Sequence, residues 1–244
     1  MFLLLGMLAW VAVAFLGAVL AAAAAGFAIG LLSSRLGPNA VPAEPLLIYV
    51  LIAACGFQVV LLLAALRQGR LAGAGDRCAG LGARSIRRQG LVAMFCLAMV
   101  IWLAVFITLM GRFPALREYA KSVTPDLLSG MDDDNVAINV LRLVLVAVLA
   151  PISEELFFRG WLWEALRRRG HATTVTASLT AIPWLLLHGV DAPGRILFLI
   201  PAAVIFSLAR HYGGGVRASL CTHMTNNGVA VLAQTIATLF GSGD

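Results

Sequence analysis

The chain consists of long apolar runs separated by short polar stretches. Residues 46–66 carry no charge, and neither do residues 91–110. Each run exceeds the roughly 18 apolar residues that mark a membrane-spanning helix. The runs are continuous rather than alternating, and a spanning chain must satisfy its backbone polar groups internally, so helices are preferred over a closed barrel. The pattern predicts helices over residues 2–32, 46–66, 91–110, 174–190, 195–209 and 216–240. It also predicts a long fourth segment, 136–169, interrupted by Pro151. The expectation is an all-α polytopic membrane bundle of about seven transmembrane helices. The first run is not read as a secretory signal, because it lacks a basic start and is about twice as long as a signal's apolar region.

Composition agrees. Of 244 residues, 61% are hydrophobic and 12% charged, and mean hydropathy is +0.92. A soluble domain has about 45–50% apolar and about 25% charged residues. A soluble enzyme, a disordered tail and a disulfide scaffold are excluded. Two of the four cysteines, Cys55 and Cys96, lie inside apolar runs, and no pairing pattern emerges.

The net charge of +6 does not indicate a nucleic-acid partner, since the basic residues fall in short connections. Arg67, Arg70, Arg77, Arg84, Arg87 and Arg88 crowd the second connection, Arg167–Arg169 follow the fourth segment, and Arg210 and Arg217 flank the last turn. Residues 111–136 instead carry Glu118, Asp126 and Asp132–Asp134 against Arg112, Arg117 and Lys121. The positive-inside bias then places the basic loops and the N-terminus in the cytosol. A single lysine among many arginines and alanines suggests a GC-rich bacterial source and hence an inner-membrane protein.

Ionisable groups inside apolar segments are costly and require explanation. The fourth segment contains Ser153-Glu154-Glu155-Leu156-Phe157-Phe158-Arg159, the fifth helix ends Trp184-Leu-Leu-Leu-His188, and the last holds His223-Met-Thr-Asn226-Asn227. Glu155 and Arg159 are four apart and share a helix face, which suits an ion pair bracing that helix. Glu154 lies about 100° round the helix and is free for another partner. Trp184 with His188, and His223 with Asn227, also share faces. Taken singly, each is better explained by packing. Together, a carboxylate, two imidazoles and an amide on three helices are the groups needed to activate a water and bind an oxyanion.

Glu-Glu-x-x-x-Arg, aromatic-x-x-x-His and His-x-x-x-Asn, in that order on late apolar helices, resemble the CAAX protease and bacteriocin-processing (CPBP, or Abi) intramembrane endopeptidases. Residues 136–244 carry the resemblance as a catalytic core, and residues 1–135 add no motif. The resemblance implies that Glu154 and His188 activate water and that His223 and Asn227 stabilise the oxyanion. Glu155, Arg159 and Trp184 take supporting roles. The family's aromatic is usually Phe, so Trp184 is a departure. No obligatory metal is implied, although Glu154, His188 and His223 are the ligand types that hold zinc with an open position.

Other protease signals fail. There is no His-Glu-x-x-His, and Gly73-Ala-Gly-Asp76 lies in the arginine-rich connection without an apolar helix around it. The reading is an intramembrane endopeptidase acting on a membrane-anchored or lipid-modified protein or peptide within the lipid bilayer. The rival is a non-catalytic immunity factor, scaffold or carrier, although a carrier would show inverted repeats with paired broken helices.

Overall fold

The computed structural model describes residues 2–36, 45–71, 86–123, 136–189 and 193–241. Its elements are α1 (Phe2–Leu36), α2 (Pro45–Leu71), α3 (Ile86–Arg112), α4 (Pro114–Val123), α5 (residues 136–168), α6 (Thr173–His188), α7 (Arg195–Gly213) and α8 (Val216–Gly241). No strand occurs among the described residues. Arg77, Arg84, Asp126, Asp132–Asp134 and the Gly73–Asp76 motif lie outside them.

The expected all-α membrane bundle is what forms. By length and hydropathy, α1, α2, α3 and α7 qualify as spans. Leu8, Phe15, Leu16, Val19 and Leu20 of α1 are exposed, as are Leu97, Ile101 and Val105 of α3. Outward-facing apolar side chains on long helices fit a lipid surface. The other long elements, α5, α6 and α8, carry the polar motifs.

Three local departures from the expected pattern matter. A short helix, α4, occupies what the sequence suggested was only an acidic connection. Leu116, Tyr119 and Val123 recur at helical spacing, and the Tyr119 ring lies 5.4 Å from Phe198 of α7. Arg117 of α4 donates to the carbonyls of Met110 and Gly111, which the end of α3 leaves unpaired.

The second departure is that Pro151 does not interrupt α5. The helix widens into a π turn at Leu145–Leu149 and returns to α geometry at Ala150–Glu154, with proline in the first positions of that segment. It then opens a second π turn at Glu155–Leu162. A proline inside a regular helix lacks an N–H and clashes with the preceding turn. The π turn changes the hydrogen-bond ladder just before it, so the helix continues.

The third is that α6 ends at His188 rather than continuing to residue 190, with Gly189 bonding back to Leu185 and Leu186. The α7–α8 connection is only Gly214 and Gly215. Gly214, at φ 70°, takes the left-handed conformation that closes the end of α7.

The core forms around α5. Phe157, Phe158, Trp161 and Leu162 pack with Leu61 and Ala64 of α2, Met99 of α3, Trp184 of α6 and Phe206 of α7. The α1–α2 pair is held by close approach of small residues, as in membrane helix pairs generally. A Cβ on Gly56 would come 3.0 Å from Ala21 Cβ, 3.4 Å from Gly17 O and 3.6 Å from Ala18 Cα. Two of those neighbours are backbone and cannot move aside. Gly56→Leu is therefore expected to destabilise the bundle by about 1–3 kcal/mol through overpacking. Gly6→Leu, where nothing lies within 4 Å, is expected to be nearly neutral. Unfolding of both purified variants in one detergent checks the contrast, and equal stability would contradict it.

Candidate active site

The two adjacent carboxylates of α5 face different partners. Glu154 is 5% exposed and Glu155 is completely buried. Neighbouring positions on a helix diverge by about 100°, so one segment places two acidic groups in two environments.

Glu154 is held by neutral donors from two other helices. Trp184 Nε1 of α6 donates to its Oε2 at 2.7 Å, and Gln58 Nε2 of α2 donates to its Oε1 at 3.0 Å. His188 Nε2 lies 3.8 Å from the same Oε2, beyond direct hydrogen-bond reach. The imidazole orientation follows from its other nitrogen. His188 Nδ1 is 2.9 Å from the Trp184 carbonyl, which can only accept. Nδ1 therefore carries a proton, and Nε2 is the ring nitrogen turned toward Glu154. Arg195 Nη1 donates to the His188 carbonyl at 3.0 Å, pinning the end of α6. The His188 side chain is 30% exposed against 7% for Glu154, so the imidazole lies at the opening and the carboxylate behind it.

Glu155 forms the second pair. Its Oε1 accepts from His223 Nδ1 at 3.0 Å and lies 3.2 Å from Arg159 Nη1. Arg159 makes no side-chain hydrogen bond among the described residues. It is held by this ion pair and by the rings of Trp184 and Phe206, whose centroids are 5.0 and 5.7 Å from its guanidinium carbon. Flat aromatic faces attract a desolvated guanidinium. His223 in turn stacks on Phe206, with centroids 4.5 Å apart.

Trp184 separates and joins the two pairs. Its ring centroid is 4.3 Å from that of His188 and 5.6 Å from that of His223, and its N–H reaches Glu154. A phenylalanine would supply the wall but not that hydrogen bond. The departure at this position therefore adds a donor to Glu154.

Asn227 serves the backbone. Its Nδ2 donates to the Val146 carbonyl at 2.8 Å, within the first π turn, while Asn226 Nδ2 donates to Asn227 Oδ1 at 2.9 Å. The second π turn is braced likewise, with Arg210 Nε of α7 donating to the Arg159 carbonyl at 2.7 Å. Side chains from neighbouring helices thus take up carbonyls of both widened turns.

The motif residues consequently fall into two carboxylate–imidazole pairs around one indole, with His223 turned to Glu155 rather than Glu154. The possible zinc set of Glu154, His188 and His223 is not assembled. Among the described residues no three His, Cys, Asp or Glu side chains group closely enough to hold a metal ion. Gln58 and Phe206 were not anticipated. Gln58 was detectable, being the sole amide in the apolar run 46–66. Phe206 is one aromatic among many and carries no such signal.

Residues 136–229 match the family model described as type II CAAX prenyl endopeptidase Rce1-like. That stretch contains all three motifs and bears out the resemblance to the CPBP proteases. No curated protein and no solved structure matches the chain.

The geometry separates two kinds of stability loss. Arg159→Met leaves Glu155 buried without its cation and is expected to cost about 3–5 kcal/mol. Trp184→Phe preserves the ring and removes one hydrogen bond to a buried carboxylate, for a loss of about 1–3 kcal/mol. Unfolding of purified protein in detergent checks the order, and a smaller loss for Arg159→Met than for Trp184→Phe would contradict it.

Proposed function

We propose that the chain is an intramembrane endopeptidase in which Glu154, assisted by His188, activates the water that attacks a peptide carbonyl. The observation that carries this reading is the Glu154–His188 arrangement. Oε2 and Nε2 face each other across 3.8 Å, at the partly exposed end of an otherwise buried site. One water can lie within about 2.8 Å of both atoms and donate to each.

The steps follow from the groups present. The water oxygen bonds to the scissile carbonyl carbon while Glu154 takes a proton. The oxyanion accepts from His223 Nε2–H and from the Asn227 N–H not used by Val146. Collapse breaks the carbon–nitrogen bond, and Glu154 returns its proton to the leaving nitrogen. Glu155 and Arg159 hold His223 in place, and Trp184 fixes both Glu154 and His188.

The substrate in this reading is a membrane-anchored or lipid-modified peptide or protein. The matched family's description supports an isoprenylated CAAX sequence. A GC-rich bacterial source favours an anchored peptide without a prenyl group. Glu164 pairs with both Arg168 and Arg210, so the basic ends of α5 and α7 lie together, and the positive-inside bias assigns that end to the cytosol. A non-catalytic immunity factor, scaffold or carrier is the alternative, and it gains no specific support from the paired imidazoles.

Glu154→Gln is expected to abolish cleavage, with at least about a 100-fold loss, while melting stays close to wild type. Two assays check it: hydrolysis of a quenched, farnesylated CAAX peptide, and comparison of new protein termini in membranes with wild-type or variant enzyme. Near-wild-type turnover of Glu154→Gln would remove the general-base assignment, and no cleavage by the wild type in either assay would favour the non-catalytic rival.

Metal dependence is tested separately. The proposed mechanism is expected to persist after exhaustive chelation, with metal analysis finding well under one ion per chain. Loss of activity restored by zinc alone would instead overturn the metal-free mechanism.

A further inference from the structure

Gln58 is an amide in an apolar helix, outside the matched stretch of residues 136–229. An unpaired amide at membrane depth is costly, yet this one is half-buried with both ends engaged. Its Nε2 donates to Glu154 Oε1 at 3.0 Å, and its Oε1 accepts from Ser153 Oγ. The carboxylate fixes which end of the amide is which, because a carboxylate accepts whereas a serine hydroxyl can donate or accept. With the N–H on Glu154, the amide oxygen faces Ser153, whose hydroxyl donates to it.

The result is a directional chain from Ser153 through Gln58 to Glu154. Glu154 then has one N–H on each oxygen, from α2 and from α6. Two donors at opposite oxygens fix both the position and the plane of a carboxylate, which one donor cannot do. Oε2, the oxygen 3.8 Å from His188 Nε2, keeps a second lone pair.

We propose that Gln58 is a positioning residue for peptide-bond cleavage, contributed by the N-terminal helices and oriented by Ser153, which aims the Glu154 carboxylate at the reacting water. This rests on the proteolytic reading above. Gln58 touches neither water nor substrate and acts only through Glu154. The N-terminal half of the chain therefore supplies part of the chemistry as well as a scaffold.

The test measures kcat, KM and melting temperature of the full-length protein in detergent. The substrate is the farnesylated CAAX peptide or, if the wild type leaves that intact, the membrane protein whose new terminus identifies it as cleaved. Gln58→Met keeps the side-chain length, and Ser153 retains its alternative acceptors, the Leu149 and Ala150 carbonyls at 3.0 Å each. The expected result is a fall in kcat of about 10- to 100-fold, the scale of a small misplacement of a catalytic group, with KM nearly unchanged and a melting loss no larger than that of Trp184→Phe, which removes the equivalent bond to the other oxygen. Ser153→Ala should lower kcat less, and the double variant should be no worse than Gln58→Met alone, because coupled residues are not additive. Should Gln58→Met fail to fold, Gln58→Asn keeps the amide one methylene shorter and should give the same split between kcat and KM.

Wild-type kcat in Gln58→Met alongside an inactive Glu154→Gln overturns this proposal and leaves the general base standing. A raised KM at unchanged kcat, or losses that add between Ser153 and Gln58, also overturns it. An active Glu154→Gln, or a wild type that cleaves nothing, overturns it together with the reading beneath it.

Discussion

Two carboxylates side by side in an apolar bundle must each be satisfied from a different direction, and the arrangement of the other helices follows from that. Glu154 draws neutral donors from α2 and α6, while Glu155 draws an imidazole from α8 and a guanidinium from its own helix. A buried charge without partners is far more costly than any single apolar contact is worth. The helices that supply these partners are thereby tied to α5. Trp184 lets the two systems share one wall, giving an N–H to one and a ring face to the other.

The two π turns of α5 belong to the same arrangement. They flank Glu154, and each exposes a carbonyl that a side chain from α7 or α8 takes up. Such widened turns are rare and are often found at functional sites. Here they have a second effect, because the wider ladder accommodates Pro151 without breaking the helix that carries both glutamates.

Much of this was legible in the sequence. Long charge-free runs gave the membrane bundle, and i,i+4 spacing gave the Glu155–Arg159 pair. What spacing along one helix cannot say is which partner a residue meets on another helix. The assignment of His223 to Glu155 rather than Glu154 depended on how α8 packs, and the continuity of α5 through Pro151 depended on a change of ladder that leaves no compositional mark. The short α4 was hidden because ten residues of mixed polarity resemble a loop. Gln58 is different: its signal was present, but a single amide in an apolar run becomes meaningful only once its neighbour across the interface is known.

Helix α6 has 16 residues. At 1.5 Å per residue it is roughly 24 Å long, whereas the hydrocarbon layer of a bilayer is about 30 Å thick. A helix that short cannot bridge the layer unaided, so the lipid beside it thins or polar groups enter at its end. The residue at that end is His188. Under the proposed mechanism such a mismatch would favour hydrolysis, because a deficit in helix length would let water reach the imidazole. On the same reading membrane thickness would become a variable of the site, with thicker lipids extending hydrocarbon over His188 and thinner ones uncovering it.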